Sequence, residues 1–140
     1  MGPDCAFCGI ASSAAAVNPG IVLDEPEVVA FLDIRPVFKG HVLVMPRAHH
    51  VTFPDLPDDL LRPLFSAAQR VARAVVVGTS AQGTFVGMNN VVSQSVAHLH
   101  VHVVPRTKGD GLRGFFWPRT SYADADELTW FARRIRDAMP

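Results

Sequence analysis

The sequence predicts an α+β fold: an antiparallel sheet with one long helix packed on it and a second helix at the C-terminus. Three observations predict it. Val28–Asp33, His41–Met45 and Thr84–Met88 are short runs rich in β-formers, each bounded by turn residues. Leu60, Leu61, Leu64, Phe65, Ala68, Val71, Ala72 and Val75 recur at helical spacing. The segment Gln94–Val103 sets histidines and aliphatic residues in strict alternation, as a half-buried strand does.

The elements follow in order. Ala11–Gly20 is small and polar enough for a loop, and Asn18-Pro19-Gly20 is a strong turn. Val28–Asp33 and His41–Met45 read as a hairpin whose longer connection is Arg35–Gly40. The long helix opens near Asp58 and Asp59, where acids suit the helix dipole, and Pro63 is placed in about its first turn, where proline is tolerated. Thr84–Met88 is another strand, and the histidine strand follows a tight polar turn. Asp124–Met139 reads as the final helix, with Leu128, Phe131 and Ile135 on one face, acids early and arginines late.

At 140 residues the chain is read as one domain, 1–140, large enough for its own core. Hydrophobic residues make up 49% of it, which argues against disorder. Thirteen basic and thirteen acidic residues cancel, so charge offers no grip on a nucleic-acid backbone and no nucleic-acid partner is expected. No run of about 18 apolar residues exists, so no membrane span is expected. Met1–Gly20 lacks the basic start and apolar stretch of a signal peptide. The expected setting is cytoplasmic.

The chemistry concentrates in Gln94–Val103. His98, His100 and His102 would stack along one face of a strand, with Leu99, Val101 and Val103 on the other. Imidazole binds metals, relays protons and acts as a nucleophile near neutral pH. Same-face neighbours on a strand sit about 6.5–7 Å apart. A zinc–nitrogen bond is only about 2.0–2.1 Å. The outer two could hardly share one ion, although one or two of the row can still be ligands. Cys5 and Cys8 are the only cysteines, and a Cys-X-X-Cys pair can bind zinc, run redox chemistry or form a disulfide. Position alone makes Asp33 a turn or strand-end carboxylate, and His41 is read as structural.

The segment His98-Leu99-His100-Val101-His102-Val103-Val104 resembles the histidine-triad (HIT) pattern, His-X-His-X-His followed by two hydrophobic residues. Cys5-Ala6-Phe7-Cys8-Gly9-Ile10 is similar to the opening of zinc-bearing members. Phe31–Pro36 and Gly40–His49 resemble their next two signatures. The four blocks, in this order, span most of the chain.

The resemblance implies a HIT-like sheet and a nucleotide site in which His98, His100 and His102 are the catalytic row. It implies that His100 attacks the α-phosphorus of a purine nucleotide to form a covalent nucleotidyl-imidazole. His102 would donate to a phosphate oxygen. Asp33 would accept from the ribose hydroxyls, Ile34 would lie against the base, and Asn89, Gln94 and Ser95 would neighbour the phosphate or leaving group. It also implies a structural Zn2+ held by Cys5, Cys8, His49 and His98, with His50 the competitor for the third position. A homodimer paired through the long helix and a sheet edge is expected. Lys108–Arg119 is glycine-rich, aromatic and basic, and reads as a surface loop or a flap carrying Trp117. The leading expectation is a hydrolase of purine nucleoside phosphoramidates or related conjugates. The alternatives are a dinucleoside polyphosphate hydrolase or phosphorylase and a noncatalytic nucleotide-sensing dimer, with a zinc-dependent redox protein further off.

Overall fold

The computed structural model describes residues 4–13, 17–112 and 119–140. They fall into two compact units, Met1–Asp110 and Gly111–Pro140. The first unit holds a five-stranded antiparallel sheet in the order β1-β2-β3-β5-β4. The strands are β1 (Ile21–Asp24), β2 (Val28–Leu32), β3 (Val42–Pro46), β4 (Gly83–Gly87) and β5 (Val101–Arg106). A short helix α1 (Ala6–Ala11) precedes them, and the long helix α2 (Asp58–Thr79) lies between β3 and β4 in the chain. The fold class is the α+β sheet-and-helix arrangement that the hydrophobic periods predict.

The alternation of each strand sorts its side chains onto two faces. One face packs on α2: Val28, Ala30, Val42, Val44, Leu99, Val101 and Val103 meet Leu64, Ala67, Ala68, Val71 and Val75. Leu64 and Leu99 are wholly buried, and truncating either to alanine would cost about 2–5 kcal/mol. The opposite face, with Val29, Phe31, Leu43 and Met45, packs on Phe7 of α1. That second face carries the histidines.

Three features differ from the sequence reading. The histidine row is not one regular strand. Only His102 lies in β5; His98 ends a bend, its N–H donating to the Val96 carbonyl at 2.8 Å, and His100 lies in irregular chain just before the strand. There the backbone pairs with the segment after β3, through Leu99 N–H donating to the His50 carbonyl at 2.7 Å. The alternation of faces survives this break, because Leu99 still reaches the α2 side. Second, Ala6–Ala11 is helical, so Cys8 sits within a short helix, the first element among the described residues. Third, α2 starts early enough that Pro63 stands inside the helix rather than in its first turn. Packing of five α2 side chains against the sheet outweighs one missing N–H donor.

The second unit contains α3 (Ala125–Asp137), capped by Asp124, whose carboxylate accepts from Glu127 N–H at 2.8 Å. Trp117 lies outside the described residues. Among those described, no helix is long and apolar enough to cross a membrane.

Candidate functional site

Two clusters occupy the α1 side of the sheet. The first gathers Cys5 and Cys8 from the N-terminus, His49 from the loop after β3, and His98. Their ligand atoms all lie within 4.8 Å of one another. The His49 Nδ1 is 3.3 Å from Cys8 Sγ, and the His98 Nδ1 is 3.6 Å from Cys5 Sγ and 3.7 Å from Cys8 Sγ. A tetrahedral ion with bonds of about 2.0–2.3 Å has ligand–ligand edges of roughly 3.3–3.8 Å. The residues fit that shape. His98 Nε2–H donates to the Pro46 carbonyl at 2.8 Å, which leaves the Nδ1 lone pair facing the thiols. Burial and the neighbouring Cys5 thiol push the Cys8 thiol up, a cost of ionisation that a bound cation would relieve. His50 contributes its carbonyl to Leu99 and stands outside this cluster.

The second cluster is a pocket of about 710 Å³ lined on one side by Phe7 and Ile10, floored by Phe31 and Leu43, and reached by His100 and His102. His100 is 3% exposed. Its Nδ1–H donates to the His98 carbonyl at 2.7 Å, so Nε2 keeps its lone pair. Phe7 packs its ring edge-to-face with the His100 imidazole at 5.0 Å and holds its plane.

His102 is governed by His41. Gly40, at φ 98°, turns the chain so that His41 stands immediately before β3. A β-carbon there would meet Thr79. The Val37 N–H donates to His41 Nδ1 at 3.2 Å. The proton of neutral His41 therefore sits on Nε2 and donates to His102 Nδ1 at 2.9 Å. His102, neutral in turn, carries its own proton on Nε2. Burial pushes His41 below the usual imidazole range. Burial, then the nearby His100 and His41, push His102 down to about 4, against a weaker pull from Asp33. Both are neutral near pH 7, and the network gives the site one lone pair (His100) beside one N–H donor (His102). Sequence reading took His41 as structural; the signal for its role is only its contact with His102, 61 positions away.

The other expected residues divide. Asp33, Ile34 and Ser95 line the pocket. Asp33 Oδ1 accepts from the Arg35 N–H at 2.8 Å, and Oδ2 lies 3.7 Å from His41 Nδ1. Asn89 and Gln94 are not in the lining. Asn89 Nδ2 donates to the Ser93 carbonyl at 3.3 Å. Gln94 accepts from Val91 N–H and donates to the Val51 carbonyl at 2.6 Å. Their role here is to brace a turn in which Val91 and Ser93 take φ of 67° and 61°, positions that cost a non-glycine residue about 1–3 kcal/mol each. A smaller cleft of about 310 Å³ between β1 and α2 is almost wholly apolar, and its one charged side chain, Arg70, pairs with Glu25.

The HIT domain family model matches residues 16–109. The chain belongs to the HIT family. It is 37% identical over 111 residues to an uncharacterised HIT-like protein of Mycobacterium tuberculosis, covering 77% of this chain and 75% of that one. Over 127 residues it is 33% identical to an adenosine 5′-monophosphoramidase of Saccharomyces cerevisiae, covering 89% and 75%. A HIT-family crystal structure from Bacillus subtilis matches with TM-score 0.85 at 30% identity over 98% of both chains. A zinc-bound histidine triad protein from Mycobacterium smegmatis matches at TM-score 0.70 and 31% identity, over 97% of this chain and 98% of that one.

Proposed function

We propose that this HIT protein is a nucleotide hydrolase of the phosphoramidase type, cleaving purine nucleoside phosphoramidates or related conjugates at the α-phosphorus. One observation carries the reading: the free Nε2 of His100 stands in the pocket beside the Nε2–H of His102, with Asp33 on the same rim. The yeast relative named for adenosine 5′-monophosphoramidase supports the leaving-group class.

His100 Nε2 attacks the phosphorus, an N–P bond to the imidazole forms, and the bond to the leaving amine breaks. Water then attacks the same phosphorus. The imidazole takes back its electron pair and the nucleoside monophosphate leaves. Over both steps the amine gains a proton from water and phosphorus gains the hydroxyl. His102 donates its Nε2–H to a nonbridging oxygen as negative charge builds there. His41 is a positioning residue: it holds His102 in the donor tautomer. Asp33 accepts from the ribose hydroxyls, and Ser95 faces the phosphate.

Cys5, Cys8, His49 and His98 would hold a structural Zn2+ in a closed Cys2His2 set, with no open position for substrate. Its part is to tie the N-terminus and the loop after β3 to the chain that carries His100. The zinc-bound relative supports this. A cytoplasmic setting, which keeps both thiols reduced, belongs to the same proposal. So does a homodimer paired through α2 and the edge strand β4, where Val77 is 82% and Val86 44% exposed.

Rapid quench followed by peptide mass spectrometry tests the chemistry: a nucleotidyl mass on His100 is expected. Turnover with no adduct on any histidine would overturn it. A dinucleoside tetraphosphate assayed beside adenosine phosphoramidate separates the runner-up substrate class.

A further inference from the structure

The pocket has a far end. Ile21, Phe31, Leu43 and His102 are registered partners across the neighbouring strands β1, β2, β3 and β5. At about 4.8 Å per strand, Ile21 stands about 14 Å from His102. A mononucleotide with phosphorus at His100 and ribose at Asp33 therefore puts its base over β2 and β1. Phe7, Ile10 and Ile34, the last 92% exposed, offer that base apolar faces.

Two further polar side chains line the pocket: Asn18, in the turn that bonds to Ile21 and leads into β1, and Arg35, three residues past the end of β2. Asn18 Oδ1 accepts from Gly20 N–H at 3.1 Å. That bond orients the amide, so Nδ2 carries the hydrogens, and Nδ2 has no partner among the described residues. The Arg35 guanidinium likewise has neither hydrogen bond nor ion pair among them; only its backbone N–H is engaged, by Asp33. The neighbouring Asn18 and Gly20 carbonyls already receive one bond each, from Ile21 N–H at 3.1 Å and Leu32 N–H at 2.8 Å. Among the described residues, the two unpartnered side-chain groups of Asn18 and Arg35, Nδ2 and the guanidinium, are both donors.

Purine edges differ in this respect. Guanine presents two acceptors, O6 and N7, where adenine presents the N6 donor beside the N7 acceptor. Guanidinium meets the first edge with two parallel bonds and meets the second with an unpaired donor. We propose that Asn18 and Arg35 form a base-reading edge that selects 6-oxopurines, guanine and hypoxanthine, over adenine. This rests on the reading of the pocket as a nucleotide site.

The experiment compares kcat/KM for guanosine, inosine and adenosine 5′-phosphoramidates of one amine, with calorimetric binding of GMP, IMP and AMP alongside. Guanosine and inosine should be favoured over adenosine by about tenfold in both. Arg35→Met keeps the stem and should bring the ratio close to one. Asn18→Asp keeps the acceptor for Gly20, replaces the donor by an acceptor, and should move the ratio toward adenosine. Equal kcat/KM and equal affinity for guanine and adenine in the unmodified protein overturns the base-reading edge and leaves the hydrolase standing. Binding that favours GMP with no cleavage of any phosphoramidate overturns the hydrolase and leaves the edge standing. No binding of any nucleotide overturns both.

Discussion

His98 and His100 stand two residues apart on the same face of the sheet, yet they present opposite nitrogens. His98 gives Nε2–H to the Pro46 carbonyl and turns Nδ1 toward two thiols. His100 gives Nδ1–H to the His98 carbonyl and turns Nε2 into the pocket. The side chains are identical and both are buried. The difference lies in which carbonyl each ring can reach. His98 reaches one 52 positions back in the chain, and His100 reaches one two positions back. A histidine's work is thus set by the partner of the nitrogen that does not perform it.

The largest effect should come from the pocket side. His100→Ala removes the lone pair proposed to attack phosphorus, and turnover should fall by about a thousandfold or more. The same protein should keep its zinc and its melting temperature within a few degrees. If single-turnover assays of the variant showed unimpaired cleavage, the lone-pair argument would fail. The reciprocal change belongs to the metal side. Cys5→Ser, or zinc removal by a strong chelator, should cost about 3 kcal/mol or more of stability; the chelator should expose both thiols to alkylation, and the variant should expose Cys8. Elemental analysis should find one zinc per chain in the unmodified protein and little in the variant. Stability indifferent to chelator would separate these four side chains from any metal role.

Acid should act on both sides, since burial pushes His98 as well as His102 below the usual imidazole range. His102 is held down to about 4 in the folded chain, against about 6.5 when unfolded. The unfolded chain therefore binds more protons between those values, so the stability is fully present above about pH 6.5 and is lost progressively as pH falls to about 4. The loss should be about 2 kcal/mol once partial exposure is allowed for. Denaturant melts of the unmodified protein and His102→Gln across this window measure it, and the variant should show a shallower slope. Parallel slopes would mean that other groups carry the acid sensitivity.

The smallest effect concerns the sugar. Asp33 should favour ribonucleosides over deoxyribonucleosides by about tenfold in kcat/KM, through one extra bond to a charged acceptor. Asp33→Asn should narrow that ratio while the His100 adduct still forms. Equal turnover of the two sugars by the unmodified protein would make Asp33 a structural carboxylate, bonded to Arg35 and facing His41.

Much of the fold was legible in local periods. Alternation placed Leu99, Val101 and Val103 against the long helix, and the 3.6-residue rhythm found Leu64, Val71 and Val75, because these patterns are properties of neighbouring residues. The four motif blocks named the family. The turn 89–94 carries no period, and only folding set the partners of its side chains, the Ser93 carbonyl for Asn89 and the Val91 N–H for Gln94. α1 was missed because six residues of small and mixed character carry too few turns to show a period.

The sequence by itself determined the sheet-and-helix class, the face on which the histidines lie, and the donor atoms available for metal and phosphorus. Only the tertiary structure decided which ring nitrogen each histidine offers, that His41 sets the proton on His102, and that Asn18 and Arg35 line the same pocket. The physical reason is range. Periodicity follows from backbone geometry within a few residues. A tautomer follows from one hydrogen bond to an atom that folding brings from elsewhere in the chain.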